Sequence, residues 1–178
     1  MDSSQSITPQ DFADQRSLID SIVVNYWKAK AGDFAVVLYS TQVHVNITFD
    51  QFDSFVNLQR AISALPLMDP ISSGSDLGKL FNTTFSKTPE VFLLLKKETK
   101  ATYTNGYKVP DGKLKGVKKI AVTFGAESNI KDISDFHSVL QYDDTTKFSE
   151  SSVINKITET LCYGTSASYV NRKEFLIS

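Results

Sequence analysis

The sequence predicts an α/β domain with a mostly parallel sheet covered by helices on both faces. Three observations carry that expectation. Residues 34–40 (FAVVLYS), 91–95 (VFLLL) and 117–124 (VKKIAVTF) are apolar runs of strand length, as strands buried on both faces are. Segments with apolar residues at helical spacing separate them, the alternation expected of parallel strands joined by helices. One run, residues 43–49 (VHVNITF), alternates strictly and reads as a half-exposed antiparallel edge strand.

The elements follow in order. Thr8-Pro9-Gln10-Asp11 combines an N-cap hydroxyl, Pro at the first helical position and an acid three residues after the cap. Phe12, Ile19, Ile22, Val23 and Tyr26 continue it as a helix over 9–30, stopped at Gly32. Thr41-Gln42 is the expected hairpin turn between 34–40 and 43–49, with Val43, Val45, Ile47 and Phe49 on one face. Phe55, Leu58, Ile62 and Leu65 predict a helix over 53–65, closed by Pro66. Leu77, Leu80, Phe81 and Phe85 predict another over 76–86. Residues 96–115 show no firm period. Ile130, Ile133 and Phe136 suggest a short helix, Val139-Leu140-Gln141 a last strand, and Val153, Ile154, Ile157 and Leu161 the inner face of a helix over 150–161. The tail, 163–178, has no clear place in this scheme.

Composition bounds the function. The 178 residues are 41% hydrophobic and 22% charged, a globular and not a disordered composition. A net charge of −1 offers no electrostatic footprint for nucleic acid. Lys113, Lys115, Lys118 and Lys119 read as a solvated turn entering a strand. The longest apolar run, Val91 to Leu95, is far short of the ~20 residues of a membrane helix. The first residues, MDSSQSITPQDF, lack the basic and apolar regions of a signal peptide. Cys162 is the single cysteine, so no intrachain disulfide forms. Asn46-Ile47-Thr48 and Asn82-Thr83-Thr84 are sequons, making Asn46 and Asn82 glycan acceptors in a secreted chain.

Two clusters carry candidate chemistry. Asp2, Ser4 and Ser6 form a D-x-S-x-S run just before the first helix, a hard-oxygen set that suits a Mg²⁺-type ion. Ser73 to Leu80 (SGSDLGKL) opens the third helix, with Ser75 or Asp76 at the N-cap. It is one residue short of a phosphate loop and has Leu80 where that loop needs a hydroxyl. His44 and His137 have no Cys or acid at metal-ligand spacing, and no G-x-S-x-G is present, so no catalytic residue is assigned. Tyr26 and Trp27 fit the end of a buried helix face.

The order D-x-S-x-S, capped helix, FAVVLYS, hairpin strand, helix ending ISALP, SGSDLGKLF and later KGVKKIAVTFG resembles the von Willebrand factor A-type (vWA) family over residues 2–162. It is similar in particular to the vWA modules that accompany lectin-type domains in extracellular invertebrate proteins. The resemblance implies a Rossmann-like domain that binds a protein or matrix ligand, outside the cell. It implies a metal ion-dependent adhesion site, where the ion keeps a position open for a carboxylate of the partner. Asp2, Ser4 and Ser6 match the family's first ligands, and Ser75 matches its usual Thr. At the last acid position stands Lys97 or Glu98 or, if Thr104-Asn105-Gly106 is the equivalent turn, Asn105; Glu98 is preferred. The site is therefore expected to be degenerate, with Mg²⁺ or Mn²⁺ bound no tighter than about millimolar, or absent. The family's first strand, central in the sheet, precedes D-x-S-x-S. Here Met1 directly precedes Asp2, so that strand is expected to be missing, as in an N-terminally truncated product, with its neighbours left unpaired. A non-enzymatic binding module is the leading reading. A Mg²⁺-dependent α/β hydrolase and a product without independent function are the alternatives.

Overall fold

The computed structural model describes residues 1–3, 7–28, 34–40, 42–67, 77–89, 91–98, 112–125, 136–143, 145–163 and 175–177. Its elements are α1 (Pro9–Lys28), β1 (Phe34–Tyr39), β2 (Val43–Ile47), α2 (Phe55–Ser63), α3 (Leu77–Phe81), β3 (Val91–Glu98), β4 (Lys118–Gly125), β5 (Ser138–Tyr142), α4 (Ser151–Tyr163) and β6 (Phe175–Ile177). The six strands form one sheet in the order β2-β1-β6-β3-β4-β5. Every pairing is parallel except that of β2 at the edge, which is antiparallel to β1.

Alternate residues of the central strands feed two cores. Val36, Leu38, Leu93, Leu95, Ile120 and Val122 pack with Ile19, Ile22, Leu58, Ile62, Val153 and Ile157 of α1, α2 and α4. Val37, Tyr39, Phe92, Leu94 and Ala121 face Leu80 and Phe81 of α3, with Leu114 and Val117. Helices thus cover both faces, and strands without a solvent side carry the continuous apolar runs seen in the sequence.

The centre of the sheet departs from expectation. The slot between β1 and β3 is filled by the tail. Phe175, Leu176 and Ile177 pair with Phe34, Ala35 and Val36 on one side and with Val91, Phe92 and Leu93 on the other. Further along the same slot, Asp2 lies opposite Tyr39. The Met1 amino group donates to the Val37 carbonyl (2.8 Å), and the Tyr39 amide donates to the Met1 carbonyl (3.1 Å), which places Met1 opposite Leu38. One register position, opposite Val37, separates Met1 from Ile177. Two distant segments therefore run end to end as one composite central strand, and β1 and β3 are not left unpaired. Burial, working against the pull of Asp2, lowers the Met1 amino group to about 4.

Other differences are local. The alternation over 43–49 is broken by a bulge: Val37 pairs with Val45 but Val36 with Ile47, leaving Asn46 unopposed. Val43 and Val45 therefore join one core and Ile47 the other. The third helix is shorter than expected and ends at Phe81. There the Asn82 side chain donates to the Gly78 carbonyl (2.9 Å) and the Thr83 hydroxyl to the Lys79 carbonyl (3.1 Å). Strand β3 runs three residues longer than its apolar run, because Lys96, Lys97 and Glu98 pair with Thr123, Phe124 and Gly125. The basic run is not wholly solvated: Lys119 is buried, its ammonium donating to the Leu114 carbonyl (3.2 Å). Lys118 reaches the Thr160 carbonyl at the end of α4 (2.9 Å). The short helix expected around Ile130 and Ile133 lies outside the described residues.

Candidate functional site

The parallel strands β1, β3 and β4 and the composite strand all point their carboxyl ends to one edge of the sheet, where α1 begins. Asp2 sits at that edge and is 1% exposed. Its backbone is held twice by Gln15 of α1: the Asp2 amide donates to Oε1 (3.1 Å) and Nε2 donates to the Asp2 carbonyl (3.2 Å). The Ser3 amide and hydroxyl both donate to the Tyr39 carbonyl (2.9 and 3.0 Å). The Tyr39 hydroxyl in turn donates to the Leu95 carbonyl (2.9 Å), tying β1 to β3 across the top of the composite strand. The sequence missed Gln15. Its signal was a polar residue on the apolar stripe of Phe12, Ile19 and Ile22.

Lys97 meets Asp2 at the end of β3. Its amide donates to Asp2 Oδ2 (3.3 Å). Its ammonium binds Asp11 Oδ1 in the first turn of α1. Asp11 is the acid of the helix-start signature; its other oxygen accepts the Thr8 amide (3.1 Å) and hydroxyl (2.7 Å). The Asp11 amide donates to the Thr8 hydroxyl in return (3.1 Å). Burial alone would raise the Asp11 carboxyl, but the Lys97 ammonium and the Thr8 donors outweigh it and hold the group below its ordinary value. Lys96 points to the opposite face and is buried beside Thr123 in the register.

The remaining candidates are placed unequally. Ser4, Ser6, Ser75 and Asn105 lie outside the described residues. Glu98 is the last residue of β3, opposite Gly125; only its backbone is described. Asn82 is exposed just after α3, whereas Asn46 lies at the bulge of β2 with a buried Oδ1 that has no hydrogen-bond partner. His44 and His137 are both exposed, and the Lys119 amide donates to His137 Nδ1 (3.1 Å). Among the described residues no three His, Cys, Asp or Glu side chains stand together as metal ligands. The carboxylates that the top edge does bring together, Asp2 and Asp11, already share Lys97.

The model of the von Willebrand factor type A domain matches residues 1–101, more than half of the chain. The chain belongs to the von Willebrand factor type A family. The fold agrees. Proximal thread matrix protein 1 from the mussel byssus superposes with a TM-score of 0.69 at 16% identity, covering 91% of this chain and 46% of that one. The same mussel protein with a zinc-occupied MIDAS motif gives 0.68 at 15% identity, with the same coverage. This vWA chain thus spans about half the length of the solved structures it matches. No curated protein sequence matches it. No helix among the described residues is long and apolar enough to cross a membrane.

Proposed function

We propose that this vWA domain is a non-enzymatic protein-binding module of the adhesion type. In this reading it works outside the cell on a protein or matrix ligand, through the edge where the parallel strands end. The observation that carries the reading is the fixing of Asp2, the first residue of D-x-S-x-S, at that edge by Gln15, Tyr39 and Lys97. Loops at the carboxyl ends of a parallel sheet are where such folds take ligands. Support for a matrix setting comes from the fold likeness to a byssus matrix protein. In a secreted chain, Asn82 is the better glycan acceptor of the two sequons, because Asn46 lies within a strand with its side chain partly buried.

The test is binding to surfaces coated with collagen, fibronectin or laminin, read by surface plasmon resonance. Gln42 is exposed at the carboxyl end of β1. Val56, 51% exposed, lies in the first turn of α2 at the opposite edge, because α2 follows the antiparallel β2. Gln42→Arg is expected to weaken binding at least about tenfold, or about 1.4 kcal/mol, and Val56→Arg to leave it unchanged. Equal effects of the two variants would move recognition off this edge.

A Mg²⁺-dependent hydrolase at the same corner is the competing reading. Metal-assisted hydrolysis needs carboxylates free to hold the ion, whereas here Asp11 binds the Lys97 ammonium and Asp2 its amide. No turnover of p-nitrophenyl phosphate or ATP above background is expected with 10 mM Mg²⁺ (about ten times a millimolar dissociation constant). Turnover that vanishes in Asp2→Ala would reverse the ranking.

A further inference from the structure

Resting on the reading of this edge as the recognition face, we infer that Lys97 supplies its positive charge in place of a divalent ion, so that recognition here is independent of metal. Lys97 engages both carboxylates of the corner through two different nitrogens. Its amide donates to Asp2, which is 1% exposed, and its ammonium to Asp11, whose side chain is 14% exposed. Carboxylates this far from water need a charged or well-aligned donor partner. Lys97 provides one to each from a position that the sheet fixes: its backbone is opposite Phe124 in the β3–β4 ladder. The far end of the ion pair is fixed as well, since Thr8 holds Asp11 in the helix-start box. The cation is therefore built in and anchored at both ends.

A divalent ion at Asp2 would share one corner with the ammonium of the same Lys97 whose amide binds Asp2, and like charges in a site shielded from water repel. It would also have to displace the Lys97 amide from the Asp2 carboxylate or share it. The described donors, Asp2 and Asp11, thus fit an internal ammonium and not a bound metal. Lys97 is a positioning residue in this account: it neutralises and orients the acids, and a partner docks on a corner whose charge does not vary with ion supply.

The experiment uses the whole chain, freed of metal with EDTA and dialysed, in thermal melts with MnCl₂ from micromolar to 10 mM. The wild type is expected to shift by less than about 1 °C. Lys97→Asp places a third carboxylate beside Asp2 and Asp11 and removes the cation, so it is expected to gain about 3 °C or more with Mn²⁺. A wild-type gain of that size below 1 mM Mn²⁺ overturns the inference, and so does a folded Lys97→Asp that Mn²⁺ leaves unshifted. If Lys97→Asp does not fold without metal, Lys97→Met takes its place, with Mn²⁺ affinity read by water-proton relaxation. There the neutral variant is expected to bind at least about tenfold tighter than wild type, and equal affinities overturn the inference. No partner protein enters these measurements, so their failure is distinct from failure of the binding-module reading.

Discussion

Ile177→Asp is expected to leave essentially no folded protein in water. Ile177 is 1% exposed, paired with Val36 on one side and Leu93 on the other. It packs in the core shared by α1, α2 and α4. Loss of a buried Ile side chain alone costs about 2–5 kcal/mol. A carboxylate in its place adds the cost of burying a charge, several kcal/mol even after relaxation. The sum rivals the whole stability of a domain, roughly 5–15 kcal/mol. Because β1 and β3 do not pair with each other, expelling the strand also strands the backbone donors and acceptors of both. Circular dichroism and urea unfolding test this, with Ile177→Val as the control at a cost of about 0.5–1.5 kcal/mol. A cooperative, near-native urea transition in Ile177→Asp would show that the slot closes without the tail.

Lys97→Met is expected to cost about 2 kcal/mol at pH 7, because it removes the cation from a pair whose side chains are only 19% and 14% exposed. The Thr8 donors remain and keep Asp11 partly satisfied, which places the loss below that of a fully orphaned buried charge. At this chain length the cost corresponds to a drop in Tm of about 4–8 °C. The pH dependence gives a sharper signature. The folded-state pKa of Asp11 lies below its unfolded value of 3.8. Its contribution is therefore fully present above that value and is lost as pH falls through the lower folded one. Wild-type stability should carry this acid-side decline below about pH 4, and in Lys97→Met the decline should be smaller and displaced upward. Identical acid limbs in the two proteins would show that the pair contributes nothing to the folded state.

Much of this architecture is written locally in the sequence. The Thr8-Pro9-Gln10-Asp11 start, the apolar run of β1, the antiparallel edge strand β2 and the inner face of α4 all depend on neighbours within a few residues. Periodicity and capping chemistry therefore determine them. The family resemblance rested on the same local blocks, and Asp2 of its D-x-S-x-S run stands opposite Tyr39 at the end of β1. The register within β2 was not legible, because a bulge changes which residue faces which core without changing composition. The extension of β3 through Lys96, Lys97 and Glu98 was hidden for a related reason: pairing with β4, not hydrophobicity, keeps those residues extended.

What the sequence by itself determined is the class of fold, the order of its helices and strands, and the candidate acid at the head of α1. Two features were decided only by tertiary structure. The first is the occupant of the central slot. A three-residue segment such as Phe175–Ile177 carries too few residues to show a period, and its partners lie more than 80 residues away in the chain. The second is the company kept by Lys97. The sequence offered Lys97 only as one occupant of the last acid position, two residues past an apolar run, with no sign of the carboxylates it meets. Lys97 becomes an internal cation because β3, the composite strand and the first turn of α1 converge on one point, and a carboxylate buried there gains more from an ammonium than from water it can no longer reach.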